Sequence, residues 1–143
     1  MTVDTTIRFV MDLLKGSPTI REMVNDKIIA EIPRVDMVLD GTNKTVVGVS
    51  VNSSMQQSYF NSQIRGYIKN EVNAQVTVLS GNGKTDQYCR DVVREVKEIL
   101  QDAQYLGSYR IFINSVKDEV KSDGSVGKWM GNLILDITRF DPI

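Results

Sequence analysis

The sequence predicts an α+β fold: a single domain built on a mostly antiparallel β-sheet, packed by N-terminal helices and one central amphipathic helix, and closed by a long C-terminal hairpin. Three observations predict it. A helical apolar stripe runs without interruption between Asp86 and Ala103. Alternating apolar residues mark strands at Thr45–Val51, Gln75–Leu79, Tyr109–Asn114 and Leu133–Phe140. The chain has 143 residues, 41% of them hydrophobic, and no linker-like composition divides it. Helices and strands that each carry one apolar face must bury those faces against one another, so residues 1–143 read as one domain.

The elements follow in order. Ile7, Val10, Met11 and Leu14 recur at helical spacing, with Asp4 or Thr5 placed to cap the first turn. Gly16-Ser17-Pro18 ends that helix and starts another, because Gly suits a helix C-terminus, Ser a cap and Pro a first helical position. The second helix, about residues 18–27, is expected to bury Ile20, Met23, Val24 and Ile28. Pro33 then breaks regular structure. Val47, Val49 and Val51 share one face of the first strand, and Val76 and Val78 one face of the second. In the central helix Cys89, Val92, Val93, Val96, Ile99, Leu100 and Ala103 form the buried stripe. Arg90, Asp91, Arg94, Glu95, Glu98 and Gln101 take the other side. Two further strands, the second ending Leu133-Ile134-Leu135-Asp136-Ile137-Thr138-Arg139-Phe140, make the closing hairpin. Lys117 to Gly131 lies between them as a long tip with an Asp123-Gly124 turn signal.

Composition removes several classes of function. Seventeen Lys and Arg against 18 Asp and Glu leave a net charge of −1, and there is no histidine and one cysteine. No His-based triad, Cys-His dyad or imidazole metal site can be built. One cysteine allows neither an internal disulfide nor a thiolate zinc site. A near-neutral balance lacks the cationic surplus that drives phosphate binding. The N-terminus does not read as a secretory signal, and no apolar run reaches the roughly 18 residues of a membrane span. The expectation is a soluble, non-enzymatic protein, intracellular when made, with no catalytic residue, metal, cofactor or membrane partner.

Three local patterns resemble chemical sites. Ser80-Gly81-Asn82-Gly83-Lys84-Thr85 contains Gly-Lys-Thr between a strand and a helix. A phosphate loop needs its first glycine where Val78 stands, so the turn is too short to wrap a phosphate. Cys89 has no base to activate it and falls on the apolar stripe, where a free thiol behaves as a small hydrophobe. Asp118, Glu119 and Asp123 lack the oxygen spacing of a calcium loop, since Val120 and Ser122 occupy ligand positions. Without a convergent carboxylate pair, an Asp/Glu enzyme has no identifiable centre.

Thr45 to Ile64 carries no charge, and its second half mixes amides and hydroxyls with Met55, Tyr59 and Phe60. That composition fits the core of a protein interface. It fits equally a polar loop, or a short helix sealing the domain's own core. The tip at Lys117–Gly131 exceeds the roughly two to five residues of an ordinary hairpin loop, with Trp129 and Met130 at its returning base. Such a tip is either functional or mobile; an isolated small domain gains nothing from it, whereas an oligomer can use it to clasp a neighbour.

The layout resembles the tail terminator, or tail-completion (head–tail joining), proteins of tailed bacteriophages. The likeness lies in element order and length across nearly the whole chain. Its clearest parts are Ala74–Gly81 feeding the Asp86–Ala103 helix, and Tyr109–Phe140 with its charged Asp-Gly arm. The resemblance implies a structural virion protein of the tail or neck, assembled in the host cytoplasm. It implies a homo-oligomeric ring, typically a hexamer, with the tail tube protein and the head–tail connector protein as partners. DNA would pass through the lumen without specific binding, which the balanced charge favours. Met55, Tyr59, Phe60 and Trp129 are then the interface candidates. A small adaptor, or another ring component of a contractile or secretion machine, is the alternative.

Overall fold

The sheet is longer than the helices that cover it. The computed structural model describes residues 3–34, 37–38, 44–61, 64–81, 84–122 and 129–142; the side chains of 3–4, 56–61, 64–67, 114–122 and 142 lie outside that description. Helices α1 (Val3–Lys15), α2 (Pro18–Met23) and α3 (Asp86–Asp102) accompany strands β1 (Ile28–Ile29), β2 (Thr45–Asn61), β3 (Ile64–Ser80), β4 (Tyr109–Ser122) and β5 (Trp129–Pro142). The strand order is β1-β2-β3-β5-β4, with β1 parallel to β2 and every other pair antiparallel. This is the single α+β sheet-and-helix domain the periodicity predicts.

One face of the sheet is apolar and carries α1 and α3. Val47, Val49, Val72, Ala74, Val76, Val78, Leu133, Leu135 and Ile137 meet Val10 and Leu14 of α1 and Cys89, Val92, Val93, Val96 and Leu100 of α3 in one core. The predicted stripe of α3 is the buried one. Ser17 caps α2 and Thr85 caps α3, each hydroxyl accepting a first-turn amide hydrogen bond. Helix α1 begins at Val3, so Asp4 and Thr5 sit inside its first turn rather than capping it.

Three elements depart from the sequence reading. Helix α2 stops at Met23, and Asn25 and Asp26 turn with positive φ, so Ile28 enters a two-residue parallel strand instead of a helix. The uncharged stretch is neither loop nor helix: β2 runs through it to Asn61, paired with β3 as far as Ile64. The long tip of the C-terminal hairpin is mostly ladder as well, because β4 continues to Ser122 and pairs with Trp129. Residues 123–128, with the Asp123-Gly124 signal, lie outside the described residues.

The helix-free face is crossed at one end by the segment after β1. Val38, Val46 and Leu79 form a second small core there with Ile29, Met37 and Met130. Gly48 makes that crossing possible: a Cβ at this position would lie 2.1 Å from the Glu31 carbonyl oxygen and 2.5 Å from the Pro33 ring.

Candidate assembly surface

Length sets the geometry of the exposed sheet. A strand of 17 residues spans roughly 55 Å at about 3.4 Å per residue. The 17 residues of α3 cover only about 25 Å at 1.5 Å per residue. The helices therefore cover only part of the β2–β3 hairpin: Asn52–Met55 of β2 are exposed, whereas Val72 and Asn70 of β3 remain buried. A β-bulge between Val51 and Ser53 stands where the exposed residues of β2 begin, as bulges commonly do at a change of strand course.

A polar cluster closes the core a few residues beyond that bulge, on the row of Asn70. Phe9 stacks on Tyr109, whose hydroxyl accepts a hydrogen bond from Arg139 Nη1 at 3.2 Å. Arg139 Nε donates to Asp141 Oδ1 at 2.7 Å, and Asn70 donates to Asp141 Oδ2 at 3.1 Å. The pairs Asn70↔Arg139 and Tyr109↔Arg139 put these groups on one row across three strands.

The open face is an array of amides and hydroxyls. Asn132 Oδ1 accepts from Thr77 Oγ1 at 2.8 Å and from Gln75 Nε2 at 2.9 Å. Asn73 donates to Asp136 at 2.9 Å and accepts from Asn52 at 3.0 Å. Cross-strand bonds of this kind hold side chains flat against the sheet. Phe112 and Phe140 stand out of the array, 66% and 42% exposed.

The four interface candidates divide between the two ends of the sheet. Met55 is half exposed on the β2–β3 hairpin, opposite Glu71. Tyr59 and Phe60 belong to the far part of β2, where Tyr59 pairs with Tyr67; their side chains lie outside the described residues. Trp129 sits at the other end, paired with Ser80 and Ser122, and its side chain is half-buried against the core. Phe112 and Phe140 escaped the sequence reading. The signal was present, since Phe112 alternates with Ile111 and Ile113 and so falls on the opposite face.

The residues that resembled chemical sites have structural work. Thr85 caps α3, and the Lys84 ammonium lies 4.2 Å from the Tyr88 ring centroid. Tyr88 donates its hydroxyl proton to the Met23 carbonyl. Cys89 is buried, its thiol directed at the carbonyls of Val78 and Trp129, and burial pushes its pKa up to about 11. Among the described residues no group of three or more acidic or cysteine side chains is placed to hold a metal, and no helix is long and apolar enough to cross a membrane.

No family profile and no curated protein sequence matches the chain. Solved structures do match. One is a chain from the structure titled "Virion of native gene transfer agent (GTA) particle", with a TM-score of 0.53 over 92% of this chain and 91% of that one, at 10% sequence identity. The shared feature is the fold. It extends over nearly the full length of both chains.

Proposed function

We propose that this chain is a structural protein of a phage-like virion, and that it forms a homo-oligomeric ring which caps the tail tube and joins the tail to the head. The observation that carries the reading is the fold match to a gene transfer agent virion chain along nine-tenths of both molecules. The sheet supports it. The described residues of β2 beyond its core, Asn52–Met55, are exposed, and a neighbouring copy in a ring would cover them. The net charge of −1 suits a conduit, since a cationic lumen would hold DNA instead of letting it pass.

In this role the partners are further copies of the chain, the tail tube protein and the connector at the head. Met55, Tyr59 and Phe60 on the β2–β3 hairpin are the assigned contacts, with Trp129 at the opposite rim. Negative-stain microscopy and light scattering of the purified protein test the reading. Annular particles several times heavier than 16.1 kDa are expected. The double substitution Tyr59→Ser with Phe60→Ser is expected to leave a folded but unassembled chain. A monodisperse monomer at high concentration would overturn the ring, and an unchanged oligomer mass in the double variant would overturn the assignment of those two residues.

A further inference from the structure

Sheet edges are sticky because each presents a row of unpaired N–H and C=O groups, and monomeric proteins blunt them with charge, proline, short strands or a covering loop. Among the described residues, two edges of this sheet have no strand beside most of their length. On the β2 side, β1 pairs only with Val47 and Gly48. Beyond Gly48 no strand is paired with the outer side of β2 among the described residues, and Val49–Asn61 contains no charged residue and no proline. On the β4 side, the turn after α3 covers only the start of the strand, where Ile111 N–H bonds the Gln104 carbonyl. Beyond Ile113 the outer side of β4 has no paired strand among the described residues.

We infer that these two edges are halves of one joint: the outer edge of β2 in one copy pairs with the outer edge of β4 in the next. The inference rests on the ring reading and names the surface that closes it. Three features of the sheet support it.

The first is direction. From β2 through β3 and β5 to β4 every step is antiparallel, so four strands alternate and β4 runs opposite to β2. Repeating the sheet by rotation brings β4 beside β2 in antiparallel order, and the ladder continues without a break.

The second is stagger. Through the pairing registers, β4 from Ile113 to Ser122 lies level with residues 74–80 of β3, whereas β2 from Val49 to Asn61 lies level with residues 76–64. To align the two edges, each copy slides along the strand by about five to seven residues, or roughly 17–24 Å, for every four strand spacings of about 4.8 Å. That slide corresponds to a strand tilt of about 40–50°, close to the roughly 35–45° at which sheets close into barrels.

The third is phase. Val47 N–H points outward, to the Lys27 carbonyl. Alternation sets Val49 and Val51 the same way, and the register Ser54↔Val72 restores that phase after the bulge. The amide of Ser54 thus faces the open edge. On β4, Ile111 points outward and Val116↔Leu133 keeps that phase beyond the bulge at Asn114.

Proline at these two positions removes an outward N–H while leaving the ladder inside the sheet intact. The wild-type chain and the variants Ser54→Pro and Val116→Pro are compared by analytical ultracentrifugation, with circular dichroism and thermal melting to establish that each is folded. Each variant alone is expected to be monomeric, with self-association at least tenfold weaker than wild type. An equimolar mixture of the two is expected to form dimers, because one copy still offers its β4 edge and the other its β2 edge. A second pair, Ser54→Lys and Phe112→Lys, keeps every amide and places charge beside the edges, so it answers the same question if either proline variant does not fold. Dimers of Val116→Pro alone or Ser54→Pro alone would mean two-fold pairing of like edges and overturn the joint. Full-size rings in both variants would overturn the joint and leave the ring standing. A wild-type chain that stays monomeric at high concentration would overturn both.

Discussion

Phe9 of α1 lies face to face with Tyr109 of β4, ring centroids 3.7 Å apart and planes within 5° of parallel, with the Arg139 guanidinium 5.3 Å from the tyrosine ring. The stack ties the first helix to the last hairpin where the apolar core gives way to polar groups. Tyr109→Phe keeps the stack and removes the acceptor for Arg139, so it is expected to cost about 1 kcal/mol. Phe9→Ala removes the stacking partner and its buried area, and about 2–4 kcal/mol is expected. Urea denaturation of both singles and the double variant checks this, and non-additive losses are expected because the two rings touch.

Gly48 lies where the segment after β1 passes directly over the sheet. A methyl group there collides with backbone and a proline ring, neither of which can rotate away. Gly48→Ala is therefore expected to destabilise by more than about 2 kcal/mol, or to release the segment around Pro33 from the sheet. Thermal melting and hydrogen exchange at Val46 and Leu79 separate the two outcomes.

Cys89 makes stability depend on pH at the alkaline end. Its thiol is held neutral in the fold by burial, with a pKa pushed up to about 11 against 9.0 for the free group. Above pH 9 the unfolded chain loses this proton while the folded chain keeps it. Stability is thus complete below about pH 9 and falls as pH rises toward 11, by about 2 kcal/mol at pH 10.5. Chemical denaturation at pH 8 and pH 10.5 is expected to show a smaller loss for Cys89→Ala than for wild type. Equal losses would show that the thiol does not titrate through folding.

Thr85 accepts the Tyr88 amide hydrogen bond at 3.1 Å at the start of α3. Thr85→Ala is expected to cost about 1 kcal/mol, and Thr85→Ser much less. Both are read from the denaturation midpoint at unchanged slope.

Much of this architecture was legible in the chain. The stripe from Cys89 to Leu100 and the valine alternations in β2 and β3 state their own burial, because a 3.6-residue or two-residue period admits only one buried face. The far half of β2 was not legible. Ser53-Ser54-Met55-Gln56-Gln57-Ser58 has no alternation and little strand propensity, and it is a strand because β3 lies beside it in register. The parallel strand Ile28–Ile29 was equally hidden, since two residues carry no period and their partner lies some 19 residues further along the chain.

The sequence by itself determined which faces are apolar, and that the chain has no histidine and one cysteine to build a site from. It also marked an uncharged stretch that had to be explained. Only the tertiary structure decided that most of this stretch is a strand with no described strand on its outer side beyond Gly48. Hydrophobic pattern reports where a residue sits between core and water, but an edge is defined by a neighbouring strand that is missing, and the information for it is spread over every strand that is present.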